Sequence, residues 1–278
     1  MDSSKVGPLV AGTSKQVEYS GAEIRDGKPM PFVRVIETGE NYDGYTVQGP
    51  HILIEDTRFT GPLDIYATLP IVFRGVTVRV TQDSHWAIHT RPGAGAFYFL
   101  WSEAGGAEGS NVVVSTGLLL RAGKAIVYRS HISRVEDGIH ADAASTSIIE
   151  NLIDGLVARP SSHNDAIQIP AQARNISIER NRMVNQNPQT SCIFNEGSSI
   201  TIKDNYLAGG GWVIYGGANS NGHGGPGSRD VSMTGNIFGL DFFPKSGHFG
   251  PVAYWDSRPD RANTWSGNAF SDGREIKP

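Results

Sequence analysis

Two aspartates 28 positions apart open the same short phrase, Asp137-Gly138-Ile139-His140 and Asp165-Ala166-Ile167-Gln168. Carried on successive coils of a repeat, their carboxylates would stand about 5 Å apart. Two carboxylates that close either share a cation or force a proton onto one of them. With Asp142 beside them, Asp137 and Asp165 make a candidate Ca²⁺ set. With His140, His163 and His89 they make a candidate acid–base set, since imidazole is the usual proton carrier near neutral pH. The same aspartates could instead cap the turn before each strand through Asx hydrogen bonds.

The elements that must hold these residues are spelled by repetition. Between Val135 and Asn205 a polar–small–Ile–polar phrase is followed by a second apolar beat and then an asparagine, at Asn151, Asn181 and Asn205. Looser copies run over His51–Phe59, Pro70–Val78 and Ala125–Ile132, with Thr57, Val76 and Ser130 at the asparagine place. Asp230–Phe238 and Thr264–Phe270 continue the series, with Asn236 in place. A period of roughly 20–30 residues built from short β-type runs predicts a solenoid, in which neighbouring coils bury each other's apolar side. The expected fold is all-β, a single-domain right-handed parallel β-helix over residues 31–278, with residues 1–30 as an N-terminal cap. Loop insertions are expected near 81–124, 216–227 and 241–262. Asparagine suits a fixed turn position because it tolerates the left-handed conformation and its amide can bond the coils above and below.

Composition narrows the function. The chain has 278 residues, a net charge of −4, 34 glycines and no basic block, which argues against nucleic acid as the partner. No apolar run approaches the ~20 residues of a membrane span. The single Cys192 excludes an intramolecular disulfide and reads as a packing thiol. Met1 is followed by no signal peptide, and the setting expected is extracellular or the surface of a virion. Monomer and trimer both remain open.

Aligning the strand before each turn on Ile65, Ile88, Ile139, Ile167, Ile193 and Ile214 sends the next residue outward. Those residues, Tyr66, His89, His140, Gln168, Phe194 and Tyr215, predict a ladder of rings and hydrogen-bonding groups along one face. Such a ladder suits a chain of sugars, whose C–H faces stack on aromatic rings. Arg91, Arg159 and Trp255 are added as candidate contacts to a polysaccharide substrate, the arginines to its acidic groups.

The repeats resemble those of the right-handed, pectate-lyase-like β-helix superfamily over about residues 50–270. That resemblance implies action on polysaccharides. Asp137-Gly138-Ile139 followed by Asn164-Asp165-Ala166-Ile167 further resembles the polygalacturonases, in which Asp137 would match the Asp before Gly and Asp165 the second of a paired Asp. Asn164 stands where that family carries its proton donor. Thr190-Ser191-Cys192 replaces its Gly-His-Gly. Three chemistries follow. The first is a lyase acting on a uronic-acid glycan by β-elimination, with His140 or His89 as base, Tyr215 or Tyr66 as acid, and arginine or Ca²⁺ neutralising the carboxylate. The second is an inverting hydrolase, which needs two carboxyls roughly 6.5–9.5 Å apart. The third is a non-catalytic glycan-binding or particle-attachment β-helix.

Overall fold

The computed structural model describes residues 18–143, 145–160 and 162–278. Among them the regular structure is strand, apart from short 3₁₀ turns at Ala218–Gly222 and Pro259–Arg261. Strands distribute in rotation over three sheets of ten, nine and ten members, each sheet taking every third strand. The first sheet runs from Glu18–Tyr19 to Ala269–Phe270, the second from Ala22–Ile24 to Gly250–Ala253, the third from Arg34–Ile36 to Thr264–Ser266. Pairing within these sheets is parallel except where Arg34–Ile36 lies antiparallel to His51–Glu55. The chain therefore winds in stacked coils, compatible with the expected solenoid.

Why these residues stack is legible in the registers. Ile139, Ile167, Ile193 and Ile214 are consecutive partners in the second sheet. Ile176 and Ile200 pair in the third sheet, as do Ile178 and Ile202, while Ile153, Met183, Leu207 and Phe238 follow one another in the first. All are buried in one continuous core. Each such side chain contributes about 1.5–3 kcal/mol by leaving water, and β-branched residues fit the pleat without loss of rotamers. Cys192 belongs to this core, with Sγ 3.3 Å from the Ala208 carbonyl, and burial pushes its thiol up to about 12.

The corner between third and first sheets is the asparagine column. Asn151 Nδ2 donates to Asn181 Oδ1 at 3.0 Å, Asn181 to Asn205 at 3.0 Å, Asn205 to Asn236 at 2.9 Å, and Asn236 to Asn268 at 2.9 Å. Each amide oxygen also accepts the backbone N–H of the asparagine one coil before it, as Asn181 Oδ1 does from Asn151 at 2.8 Å. Towards the N-terminus, Ser130 and Ser102 continue the column, since Ser102 N–H donates to Ser130 Oγ and Val76 N–H to Ser102 Oγ. The left-handed conformation expected of the asparagine belongs instead to the residue before it: Arg129, Glu150, Arg180 and Asp204 have φ of 48–55°, and Gly235 and Gly267 serve the next two coils. One left-handed residue turns the chain sharply, and the buried side chain that follows satisfies the backbone groups the turn leaves open.

Two expectations about organisation change. Residues 81–124 hold regular strands, Ser84–Thr90, Phe97–Leu100, Glu103–Gly106 and Val114–Leu120, so a full coil stands where an insertion was expected. Phe97 and Phe99, partnered with Ile71 and Phe73, read as a loop because bulky rings replaced the Ile and Val beat. The N-terminal segment already supplies Glu18–Tyr19 and Ala22–Ile24 to the sheets, while residues 1–17 of the expected cap lie outside the described residues. A hairpin, Glu40–Tyr42 with Tyr45–Val47, turns at Asp43-Gly44, both with positive φ, and packs Tyr42 and Val47 on the outer face of the third sheet against Leu53, Val72 and Tyr98. Among the described residues no helix is long and apolar enough to cross a membrane.

Candidate functional site

The outward ladder of the second sheet is set by register. Asp64, His89, Leu119, His140, Gln168, Phe194, Tyr215 and Ala253 are successive partners. His89, His140, Gln168, Phe194 and Tyr215 thus share one column, as expected. Tyr66 does not belong to it: Ile88 pairs with Leu63 rather than Ile65, so Asp64 takes the place assigned to Tyr66. Leu119, from the coil the sequence reading missed, separates the two histidines.

At the N-terminal end the ladder is closed. His89 is buried beneath Trp86, with ring centroids 4.6 Å apart, and its Nδ1 lies 3.5 Å from Asp64. Burial and the Arg91 charge lower its pKa to about 4. Arg91 is held on Asp64 at 2.7 Å, with its guanidinium 5.3 Å from the Tyr66 ring, whose other cation is Arg25 at 3.8 Å. His89, Arg91 and Tyr66 form a packed charge-and-ring cluster with little room for a substrate.

His140, in mid-ladder, is partly buried. Its electrostatic neighbours are Asp142 and Arg121, which form a 3.3 Å ion pair. Burial lowers the imidazole pKa, Asp142 opposes this and Arg121 adds to it, so the net direction is down. Desolvation outweighs the one already paired aspartate.

The Asp137/Asp165 pair lies at the corner leading into the second sheet. Asp165 N–H donates to Asp137 Oδ1 at 2.9 Å, and Ser191 Oγ donates to Asp165 Oδ1 at 2.5 Å. Asp165 is 2% exposed. Burial lifts the Asp137 carboxyl to about 7, and burial with the Asp137 charge lifts Asp165 well above the ordinary carboxylate range. The two residues are therefore adjacent and proton-retaining, and each accepts a hydrogen bond from the next coil rather than from its own turn. Asp142 points elsewhere, to Arg121 and to Gln172 Nε2 at 2.5 Å. The Ca²⁺ set of Asp137, Asp142 and Asp165 does not assemble, and among the described residues no group of three His, Cys, Asp or Glu side chains is placed to hold a metal.

The C-terminal end of the ladder is open. Phe194 and Tyr215 have ring centroids 5.2 Å apart, and Tyr254 continues them, 6.0 Å from Tyr215 and inclined 21° to it. These rings line a cleft of about 600 Å³ together with Trp212, Phe249 and His163. The expected insertions wall it. From 216–227 come Asn221 and His223, held where Asn221 Oδ1 accepts Gly217 N–H at 2.8 Å and its Nδ2 donates to the Asn195 carbonyl. Asn219, Ser220 and Asn221 are all left-handed, a strained turn over-determined by these bonds. Gly222 faces Tyr254 so closely that a Cβ there would stand 2.9 Å from the ring. From 241–262 come Phe249 and Tyr254, 56% and 47% exposed.

Besides Tyr66 and Arg91, three assigned contacts fall outside this cleft: Gln168, Trp255 and Arg159. Trp255 turns inward, 5.3 Å from Trp265 against the core, because Tyr254 before it is left-handed (φ 54°) and reverses the alternation. Arg159 is bound to Glu136 at 2.9 Å and lines a different cleft on the first sheet. Trp212, Phe249 and Tyr254 were not singled out as contacts. Plain alternation puts Trp212, two positions before the inward Ile214, on the inward side, so its place in the cleft lining carried no signal in the sequence. Set against protein-family models, curated proteins and solved structures, the chain matches none.

Proposed function

We propose that this chain is a glycan-binding β-helix, right-handed and of the pectate-lyase-like type, whose binding surface is the cleft of Phe194, Tyr215 and Tyr254. The observation that carries the reading is this run of three rings along an open cleft. Rings spaced 5–6 Å apart offer successive apolar faces to the C–H faces of sugars. Gln189, Thr190, Asn221 and His163 at the rim supply donors and acceptors for hydroxyls. Among the described residues the lining holds no Arg, Lys, Asp or Glu, which favours neutral over uronic-acid chains. It also leaves an inverting hydrolase without its two carboxyls at this cleft. A glycan-holding surface belongs where glycans are, outside cells or on a virion.

A lyase is the second reading, favoured by His163 and Tyr215 lining one cleft. Burial raises the Tyr215 phenol pKa, so it keeps its proton and can act as acid, with the exposed His163 as base. Among the described residues the lining holds no Arg or Lys for the uronate carboxylate, and this reading ranks below binding. The deciding experiment incubates the chain with a panel of neutral and acidic oligosaccharides. Binding by calorimetry is followed together with ultraviolet absorbance for an unsaturated product. Binding of neutral chains that Tyr215→Ala abolishes, without new absorbance, supports the first reading. Absorbance lost in His163→Ala supports the second, and no binding or turnover across the panel refutes both.

A further inference from the structure

The first sheet carries a cleft of about 900 Å³, larger than the aromatic one, which the glycan reading does not use. Its floor is built across three coils. Arg79, Gly105 and Ser133 are consecutive partners, and Arg79 reaches over the glycine to donate from Nη1 to Ser133 Oγ at 3.0 Å and from Nη2 to Glu103 at 3.0 Å. Gly105 is required here: its φ is 146°, and a Cβ would stand 1.7 Å from the Ser133 carbonyl oxygen and 3.2 Å from Arg79 Nη1. Beside this floor, His131 Nε2 is fixed by Asp154 at 2.8 Å. A His–carboxylate pair of this kind sets the ring's orientation and leaves the other nitrogen for a ligand.

The cleft gathers arginines although the chain as a whole carries −4. Arg58, Arg79, Arg134 and Arg159 line it with the carboxylates Glu103, Glu108 and Asp154, while Glu136 pairs Arg159 from outside the lining. Two of those carboxylates are committed, Glu103 to Arg79 and Asp154 to His131. Arg134 has only Glu108, 3.4 Å away and 86% exposed. Arg58 Nε itself lies 3.0 Å from Glu18 Oε1, an ion pair without hydrogen-bond alignment. Arg58 and Arg134 are thus lightly committed donors lining one cleft from different coils, with the free Nδ1 of His131 in the same lining. Donors arriving from several directions match the three terminal oxygens of a tetrahedral ester better than the two coplanar oxygens of a carboxylate.

We infer that this cleft is a second ligand site, independent of the aromatic one, which takes a saccharide bearing a sulfate or phosphate ester. The ester is held by Arg58, Arg134 and His131, over the Arg79–Gly105–Ser133 floor. The test titrates the intact chain with galactose 6-sulfate, glucose 6-phosphate, glucuronate and glucose. It reads heat together with the ring-proton resonances of the histidines. The expected result is binding of the sulfate ester, the phosphate ester or both, the two arms telling the sources apart. His131 resonances shift, and glucose gives no signal. Arg134→Ala and His131→Ala each weaken binding at least ~10-fold, the scale of a lost charge-assisted hydrogen bond. Tyr215→Ala leaves it unchanged, so failure here is distinguishable from failure of the glycan cleft. Glucuronate binding as tightly as the esters overturns the tetrahedral assignment. No binding of either ester, or equal binding by well-folded Arg134→Ala and wild type, overturns the site. Arg134 is 44% exposed, so its replacement keeps the test sound even if His131→Ala does not fold.

Discussion

The backbone N–H of Asp165 donates to Asp137 Oδ1 at 2.9 Å across adjacent coils. This bond makes Asp137 the cap of the next coil's corner, a task that needs an acceptor oxygen and no charge. The carboxyl is lifted to about 7, chiefly by burial and further by Glu136. A folded-state pKa above the unfolded value of about 3.9 means the native state binds more protons between those limits. Stability is then greatest at low pH within that window and falls as pH rises from about 4 through 7.

Asp137→Asn keeps the acceptor and removes the titration. The variant is expected to melt like wild type near pH 4 and above it at pH 8. A shift of about three units corresponds to roughly 4 kcal/mol as an upper scale. Thermal melts of both proteins across that range check it. A parallel decline of both curves would mean that Asp137 is not the titrating group.

The asparagine column predicts a graded cost. Asn181 Oδ1 accepts from Asn151 N–H and Nδ2, while Asn181 Nδ2 donates to the Ile148 carbonyl and to Asn205. Asn181→Ala strands several buried groups at about 1–3 kcal/mol each, and a loss of roughly 3–5 kcal/mol is expected. Arg180→Gly, one position earlier, should cost far less because φ is 53° there and glycine meets no steric penalty. Denaturant unfolding of the two variants separates the hydrogen-bonding role from the left-handed role.

Much of this architecture was readable before any coordinates, and the reason is physical. A coil that repeats its neighbour must repeat its inward residues, so Ile139, Ile167, Ile193 and Ile214 announce their own register. Asparagines with buried amides cannot drift from their column. Register failed where that pattern lapsed. Leu63-Asp64-Ile65 offers two inward candidates, and choosing Ile65 displaced Tyr66 into a ladder place that Asp64 occupies. The Phe97–Leu100 coil was invisible because aromatic packing in a solenoid carries no fixed letter. The site was legible only in part: Phe194 and Tyr215 follow from alternation, whereas Tyr254 owes its exposure to a left-handed backbone that no periodicity encodes. Arg159 and Trp255 were misplaced for related reasons, one fixed by a partner, Glu136, on another face, the other turned inward by that same left-handed residue.

Gly222 offers a way to test the cleft wall without removing a ring. A side chain at this residue (φ 90°) would press on the Tyr254 ring from 2.9 Å. Gly222→Val is expected to cost roughly 1–3 kcal/mol of stability through backbone strain. It should also displace Tyr254 and weaken oligosaccharide binding. Calorimetric titration with the best ligand of the panel, on samples whose melting curves show full folding, reads both effects. Unchanged affinity would place Tyr254 outside the binding surface.

Two histidines, one in the ladder and one in the cleft, provide the last discrimination. His140 and His163 open and close the interval that first suggested chemistry, yet only His163 lines the aromatic cleft, while His140 sits by the Arg121–Asp142 pair. Burial lowers the His140 pKa, so the ring is neutral at physiological pH. It becomes charged only below its ordinary range of about 6.5, and stability is lost as pH falls through that lowered value. His140→Ala should therefore leave oligosaccharide affinity and any turnover within about twofold, while flattening the acid side of the stability profile. His163→Ala should do the reverse, weakening binding by about 1 kcal/mol, the worth of one hydrogen bond, with little change in melting temperature. Affinity and melting curves on both variants decide the matter: a His140→Ala protein that folds but loses the ligand would move the working site two coils up the ladder.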